Sequence, residues 1–180
     1  MRTERLIIDG LGGQGVLLAG RLLTRAAMQA GQYATFLPTY GAEVRGGTSH
    51  CEVVVSAQPV TTPLVEAPSA LLLLAAPSFA RYADAAPDGS LLLANSSLVS
   101  ADGYAGPARL VEVPATRMAE EAGLPAAANL VLVGAFLELT DLLSQQAMEA
   151  GLRAVLPERH HHTIPANLEA LRRGRDAVGA

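Results

Sequence analysis

Six residues near the start of the chain, 10–15 (GLGGQG), have the glycine spacing of a phosphate-binding loop. They follow a short apolar run, 6–9, and precede a segment, 16–30, whose apolar residues recur at helical spacing. Glycines permit a tight turn with inward-pointing amides, and the positive end of the following helix favours an anion. The pattern therefore predicts either an anion site or a turn that only lets the first helix pack closely on a sheet.

A nicotinamide dinucleotide fits this loop poorly. Such a site requires an acidic residue for the ribose hydroxyls about twenty residues after the glycines, at the end of the second strand. Thr35 and Phe36 occupy that region, and the first acidic residue after it is Glu43. We therefore expect a ligand other than NAD.

A second segment with chemical potential is 38–48 (PTYGAEVRGGT), which is predicted to be a loop at the carboxyl end of a strand. Arg45 offers a planar fork for a carboxylate or phosphate, and Gly46 and Gly47 allow a ligand or another backbone to approach closely. The alternative is an ion pair of Arg45 with Glu43 or with a residue across a subunit interface.

Alternating strand and helix patterns must position these two loops. Strands are predicted at 6–9, 33–36, 51–56, 71–75 and 91–94, and helices at 16–30, 78–83, 116–122, 126–143, 144–155 and after Thr163. Thr163 is predicted to cap the last helix, with Pro165 in its first turn. Asn129 begins an apolar helix, where it could cap that helix or contact a partner chain, and we favour the cap. This alternation predicts the α/β fold class: one domain over 1–180, with a mostly parallel sheet flanked by helices and a helical C-terminal third.

Composition excludes several function classes. The net charge is −4 and the 13 basic residues, all arginine, are scattered, so nucleic acid is not an expected partner. The single cysteine, Cys51, cannot supply the thiolates of an iron–sulfur cluster or form an internal disulfide. Apolar runs are too short to span a membrane, and no leader pattern precedes the first strand, which predicts a cytoplasmic protein.

Two histidine-containing segments invite a catalytic or metal interpretation. Adjacent side chains in 160–162 (HHH) cannot easily converge on one ion, so we predict a solvated loop and no metal site. His50 beside Cys51 suggests a base and a thiol nucleophile, but neighbours on a strand point to opposite faces. We expect Cys51 to be a small buried apolar group, and we assign no catalytic residue to the chain.

The two loops together resemble the gamma domain of 2-oxoacid:ferredoxin oxidoreductases. The resemblance lies in Gly12, Gly13, Gln14 and Gly15 combined with the run 40–48 (YGAEVRGGT), and it extends over almost the whole chain. Within that family the 2-oxoglutarate branch is the most similar, through Cys51, the Asn95 and Pro114 segments, and 156–159 (LPER).

The resemblance implies a single Rossmann-like domain. It also implies a subunit that is inactive alone, in a complex that converts a 2-oxo acid and coenzyme A to acyl-CoA, carbon dioxide and reduced ferredoxin. Thiamine diphosphate and the iron–sulfur clusters are then expected on the partner alpha and beta subunits. It places Gly12, Gly13, Gln14 and Gly15 near a coenzyme A phosphate, and Arg45, Gly46, Gly47 and Thr48 at the subunit interface or the mouth of that channel.

Two other functions stay open: an indolepyruvate-type small subunit, or a stand-alone nucleotide or acyl-CoA binding protein. The isolated chain is expected to self-associate through an apolar docking surface around the helix at 130–143, because unmet subunit interfaces drive association.

Overall fold

The computed structural model describes residues 3–40 and 47–179, and for Tyr40 the backbone alone. Its strands are β1 (Glu4–Leu11), β2 (Tyr33–Tyr40), β3 (Thr48–Ser56), β4 (Ala70–Leu73), β5 (Leu91–Asn95) and β6 (Arg109–Val113). Its helices are α1 (Val16–Gln29), α2 (Ala76–Tyr82), α3 (Ala115–Glu121), α4 (Ala128–Thr140), α5 (Gln145–Val155) and α6 (Ile164–Asp176). Short 3-10 turns, Pro125–Ala127 and Glu158–Thr163, precede α4 and α6.

The strands of the described chain form one six-stranded sheet in the order β2-β3-β1-β4-β5-β6. The pairings from β1 through β4 and β5 to β6 are parallel, whereas β3 runs antiparallel to both β1 and β2. This is the predicted α/β class, and the parallel part is as apolar as strands covered on both faces must be. The antiparallel β3 separates β1 from β2.

Three predictions about the strands and the last helix were wrong. β6 was missed because its residues are only partly buried and do not form a continuous apolar run. β2 extends four residues beyond 36, through Pro38, so the expected loop begins later. Proline is tolerated there because β2 is an edge strand, where a missing amide breaks no ladder bond.

The third wrong prediction concerns Thr163, which precedes α6 without capping it. Its Oγ1 donates to the His160 carbonyl at 2.8 Å and accepts from Asn167 Nδ2 at 3.2 Å. Pro165 does lie in the first turn, as expected.

Helices cover the two faces of the sheet unequally. One face carries a large core built from α1, α3, α4, α5 and α6, and the other is covered by α2 and the irregular segments around Val65 and Val99. Because α4 is apolar on all sides, it lies inside the larger core, and its apolar side chains over 130–137 are no more than 1% exposed. The apolar side chains at 130–137 are therefore too deeply buried to take part in the docking surface expected around 130–143.

In the described part of the chain, no helix combines the length and apolarity needed to cross a bilayer.

Candidate functional site

A candidate site lies at the carboxyl edge of the sheet, between β1 and β4. These strands are adjacent and parallel, but α1 leaves β1 on one face and α2 leaves β4 on the other. Such a divergence creates a crevice, and open α/β sheets bind ligands there. The glycine loop predicted from the sequence forms one wall of this crevice.

Backbone conformation shows why the loop needs glycine. Gly13 and Gly15 have φ angles of 95° and 75°, which side-chain-bearing residues rarely adopt. A Cβ on Gly13 would meet no atom within 4 Å, so this residue faces open space. No side chain caps the amino end of α1, which begins directly after Gly15. The loop can therefore present backbone amides and the positive helix end to an anion.

The two segments singled out in the sequence meet at this point. The Gly12 amide donates to the Gly47 carbonyl at 2.9 Å, and Leu11 pairs with Thr48 at the end of the β1–β3 ladder. Gly47 and Thr48 thus lie beside the glycine loop. Arg45, Gly46 and the alternative partner Glu43 lie outside the described residues.

Gln14 shapes the loop from within. Its Oε1 accepts from the Leu11 amide at 2.7 Å, and its Nε2 donates to the Leu74 carbonyl at 3.3 Å. The same carbonyl accepts from Asn95 Nδ2 at 3.3 Å, and Asn95 also binds Thr116 at the start of α3. These carboxamides connect the carboxyl ends of β1, β4 and β5, so the loop sits on a rigid frame.

Asn129 belongs to the same frame, and its predicted capping role was wrong. It lies inside the first turn of α4, and its Nδ2 donates to the Gly15 carbonyl at 2.9 Å. A Cβ on Gly15 would come within 2.5 Å of this nitrogen. Gly15 is therefore required both for its φ angle and for the close approach of α4. Asn129 Oδ1 is buried without a hydrogen-bond partner in the described structure.

A nicotinamide site is disfavoured by topology as well as by sequence. In a dinucleotide fold the second strand ends beside the glycine loop, where its acid reaches the ribose. Here β3 lies between β1 and β2, which places the end of β2 two strand spacings, roughly 10 Å, from β1.

Directly beneath the glycine loop lies a buried charged cluster that sequence reasoning missed. Asp9, at 0% exposure, accepts from Ser78 Oγ and lies 3.1 Å from His50 Nδ1 and 3.6 Å from Arg81. Tyr82 Oη lies 3.1 Å from the same histidine nitrogen. The cluster ties β1, β3 and α2 together, and its sequence signal was the acidic residue at the end of the predicted apolar strand 6–9.

Glu52 extends this cluster on the other side of His50. Its Oε1 lies 3.6 Å from His50 Nε2, and its Oε2 accepts from the Val65 amide. The hydrogen bond to Asp9 and the charges of Asp9 and Glu52 raise the pKa of His50, against the opposing effect of burial. Burial, with the charge of Asp9, raises the pKa of Tyr82. The cluster therefore favours a protonated imidazole beside a neutral phenol.

We predict that the part of the folding free energy contributed by His50 decreases with rising pH. Because the folded pKa is raised, this stabilisation is complete below the ordinary value near 6.5 and is lost as pH rises through the higher folded value. Thermal unfolding from about pH 5.5 to about pH 9, in the native chain and in His50→Gln, isolates the effect as the difference between the two curves. Titration of the His50 ring by NMR with a pKa below 6.5 would contradict it.

His50 and Cys51 do point to opposite sides of β3, as predicted. Cys51 is fully buried in the larger core, with Sγ 3.6 Å from the Val16 carbonyl. Burial raises the pKa of its thiol to about 12, so a thiolate nucleophile is not formed near neutral pH.

The three consecutive histidines lie in the Glu158–Thr163 turn and not in a loop without regular structure. His161 Nε2 contacts the Leu156 carbonyl at 3.0 Å and His162 Nδ1 the Arg159 carbonyl at 2.9 Å. Among the described residues, no group of three or more His, Cys, Asp or Glu side chains is arranged to hold a metal ion.

Comparison with known proteins assigns the family. The family model described as pyruvate ferredoxin/flavodoxin oxidoreductase matches residues 5–177. This chain belongs to that family. A 2-oxoglutarate synthase subunit KorC from Methanocaldococcus jannaschii is 37% identical over 99% of this chain and 95% of its own length.

Solved structures agree with the fold. The keto/oxoacid ferredoxin oxidoreductase gamma subunit of Geobacter sulfurreducens covers 99% of this chain with a TM-score of 0.82 and 29% identity, over 97% of its own chain. A 2-oxoglutarate:ferredoxin oxidoreductase from Magnetococcus marinus, with 2-oxoglutarate, coenzyme A and succinyl-CoA bound, matches 99% of this chain with a TM-score of 0.89 and 19% identity. The match covers 31% of that longer chain.

The predicted family and gamma-subunit character are thereby confirmed. The chain is a subunit of an oxidoreductase complex that acts on 2-oxo acids with ferredoxin.

Proposed function

We propose that this chain is the gamma subunit of a 2-oxoglutarate:ferredoxin oxidoreductase and that its glycine loop contributes to the coenzyme A site of the assembled enzyme. The substrate proposal rests on the full-length similarity to the archaeal 2-oxoglutarate synthase subunit. The coenzyme proposal rests on one observation above others, the hydrogen bond between Gly12 and Gly47 that brings both sequence motifs to the same crevice.

The chain's part in the reaction is to bind and position. Coenzyme A takes up the succinyl group that remains after 2-oxoglutarate loses carbon dioxide, and two electrons pass to ferredoxin. In our proposal the amides of Gly13 and Gly15 and the uncapped end of α1 bind a phosphate of the coenzyme. Gly12 lies beside that phosphate with its amide bonded to Gly47, while Gln14 holds the loop in shape. Gly47 and Thr48, with Arg45 and Gly46, form the mouth of the channel or its subunit interface.

The redox and carbon–carbon bond chemistry is assigned to the partner subunits. The one cysteine of this chain is buried and protonated, so it does not fit an iron–sulfur ligand set. Thiamine diphosphate and the clusters accordingly belong to the alpha and beta subunits in this proposal, and ferredoxin is reached through them. The isolated chain is expected to be inactive.

Replacing Gly13 by alanine tests the coenzyme proposal. The new Cβ projects into open space inside the crevice, where we place a phosphate, and the backbone must keep a φ of 95°. Loss of a charge-assisted phosphate contact costs about 1.5–3 kcal/mol, so the KM for coenzyme A should rise roughly ten-fold to over a hundred-fold. Steady-state kinetics of the reconstituted complex, with the KM for 2-oxoglutarate measured in parallel, detects this change.

Gly103→Ala is the matched control. Gly103 has a φ of 75°, and a Cβ there would likewise meet nothing within 4 Å, so the two variants share the same kind of backbone strain. Gly103 lies on an exposed turn before β6 and not in the crevice. If both variants leave the KM for coenzyme A unchanged, the loop serves only to let α1 pack closely on the sheet, and the coenzyme binds elsewhere.

A further inference from the structure

We infer that the face formed by α1, the end of α5 and β2 is the surface through which this chain docks onto a partner subunit of its complex, and that the partner presents carboxylates around an apolar side chain. The inference rests on membership in a multi-chain oxidoreductase and is independent of where coenzyme A binds.

The face contains an open groove of ≈ 540 Å³, lined by Arg21, Arg25, Met28, Phe36, Ala154 and Val155 together with a threonine of α1. Apolar side chains make up part of this lining, and Met28 among them is 51% exposed. Tyr33, also 51% exposed, begins the neighbouring edge strand β2. Two of the large apolar side chains that the described structure leaves in solvent thus lie in this small region.

Charge distinguishes this face from the other helical surfaces of the described structure. In the described structure every other arginine on an α-helix has an acidic group within 4 Å: Arg81, Arg117, Arg153, Arg172, Arg173 and Arg175. Arg21 and Arg25 form no ion pair with any described residue. They stand one turn apart on α1, where like charges repel, and residues 10–42 contain no acidic residue at all.

These features indicate the chemistry of the occupant. The net charge of the chain is −4, yet residues 10–42 contain no acidic residue. In that segment Arg21 and Arg25, which form no ion pair with a described residue, stand beside exposed apolar side chains. Carboxylates from a partner would relieve the repulsion and pair with planar guanidinium groups, which suit interface ion pairs. An apolar side chain of the partner would pack against the apolar side chains that line the groove.

Comparison supports a subunit of the same complex as the partner. In the Magnetococcus marinus enzyme the corresponding fold makes up 31% of a longer chain, so it is covalently joined to other parts of that enzyme. The Methanocaldococcus jannaschii relative, matched over 95% of its length, is instead a separate subunit. A separate subunit holds its neighbours by a non-covalent interface, and the face of α1, α5 and β2 has the composition to form one.

Charge reversal tests the inference. The double variant Arg21→Glu/Arg25→Glu should weaken association with the separately purified partner subunits at least about 100-fold, measured by biolayer interferometry without coenzyme A or turnover. Met28→Asp should weaken it as well. Raising the salt concentration should weaken association of the native chain more than that of the double variant.

The matched control reverses two other exposed arginines, Arg5 and Arg109, which also form no ion pair within the described part. Arg5→Glu/Arg109→Glu should leave association within about three-fold of native, and circular dichroism should show that all variants are folded. Native-like association of the Arg21→Glu/Arg25→Glu chain, or equal weakening by the control, would overturn the inference. So would loss of self-association of the isolated chain with complex assembly unchanged, because the face would then bind a second copy.

Discussion

Replacing Gly134 or Gly174 by alanine is expected to destabilise the protein by about 3 kcal/mol, the upper end of what overpacking usually costs. For a chain of this length that corresponds to a fall in Tm of about 6–12 °C. At a solvent-exposed helix position the same substitution would stabilise, because alanine has the better helix propensity by about 1 kcal/mol. Because α4 and α6 pack closely at these glycines, alanine is here expected to lower the free energy of unfolding and not to raise it.

The reason is the closeness of the two helix backbones. A Cβ on Gly134 would lie 2.0 Å from the Leu171 carbonyl oxygen, and one on Gly174 would lie 1.9 Å from the Val131 carbonyl oxygen. Residue numbers rise along α4 as they fall along α6, so the helices cross antiparallel with one glycine from each at the contact. A backbone carbonyl cannot rotate away as a side chain can, and the helices would have to separate across the larger core.

Thermal and denaturant unfolding of the single variants measures the effect. Gln146→Ala is the control, since it adds no atoms to a contact and lies on an exposed position of α5. If Gly134→Ala and Gly174→Ala unfold at or above the Tm of the native chain, the helices are free to move apart, contrary to the close contact described.

Replacing Asp9 by asparagine is the second change with a large expected effect. The carboxamide would keep the shape of the side chain but remove the charge that faces His50 and Arg81, and it would turn an N–H toward groups that now donate to a carboxylate. Breaking a buried ion pair from one side typically costs about 3–5 kcal/mol, and we expect about 3 kcal/mol because Arg81 is half exposed and keeps its hydration. The hydrogen bond from Ser78 would also be weakened.

Two measurements distinguish the loss of the Asp9 ion pairs from the effect of removing any surface charge. Asp84→Asn removes an acid from an exposed position just after α2 and should change the free energy of unfolding by less than about 0.5 kcal/mol. In Asp9→Asn, the pKa of His50 should return toward or below its ordinary value of 6.5, because Asp9 supplies the largest effect that raises it. An unchanged His50 titration in this variant would show that the ion pair is not formed in solution.

Element types were predictable where apolar periodicity was strong. β1, α1, β4 and β5 lie close to their predicted positions because continuous apolar runs and helical spacing reflect burial directly. β6 was missed because an edge strand needs little apolar content. The capping roles of Thr163 and Asn129 were wrong because small polar side chains have several competing backbone partners, and only the packed structure selects one.

The amino-acid sequence by itself determined the family, the glycine loop after the first strand, and the unsuitability of the chain for cluster or disulfide chemistry, because each of these depends on residue types at local spacing. The tertiary structure alone decided which distant residues meet. In that structure β3 lies between β1 and β2, and the Gly12 amide donates to the Gly47 carbonyl. Asp9 is buried and contacts both His50 and Ser78. Those contacts join residues far apart in the chain, and they arise from strand order and helix packing, which no local pattern specifies.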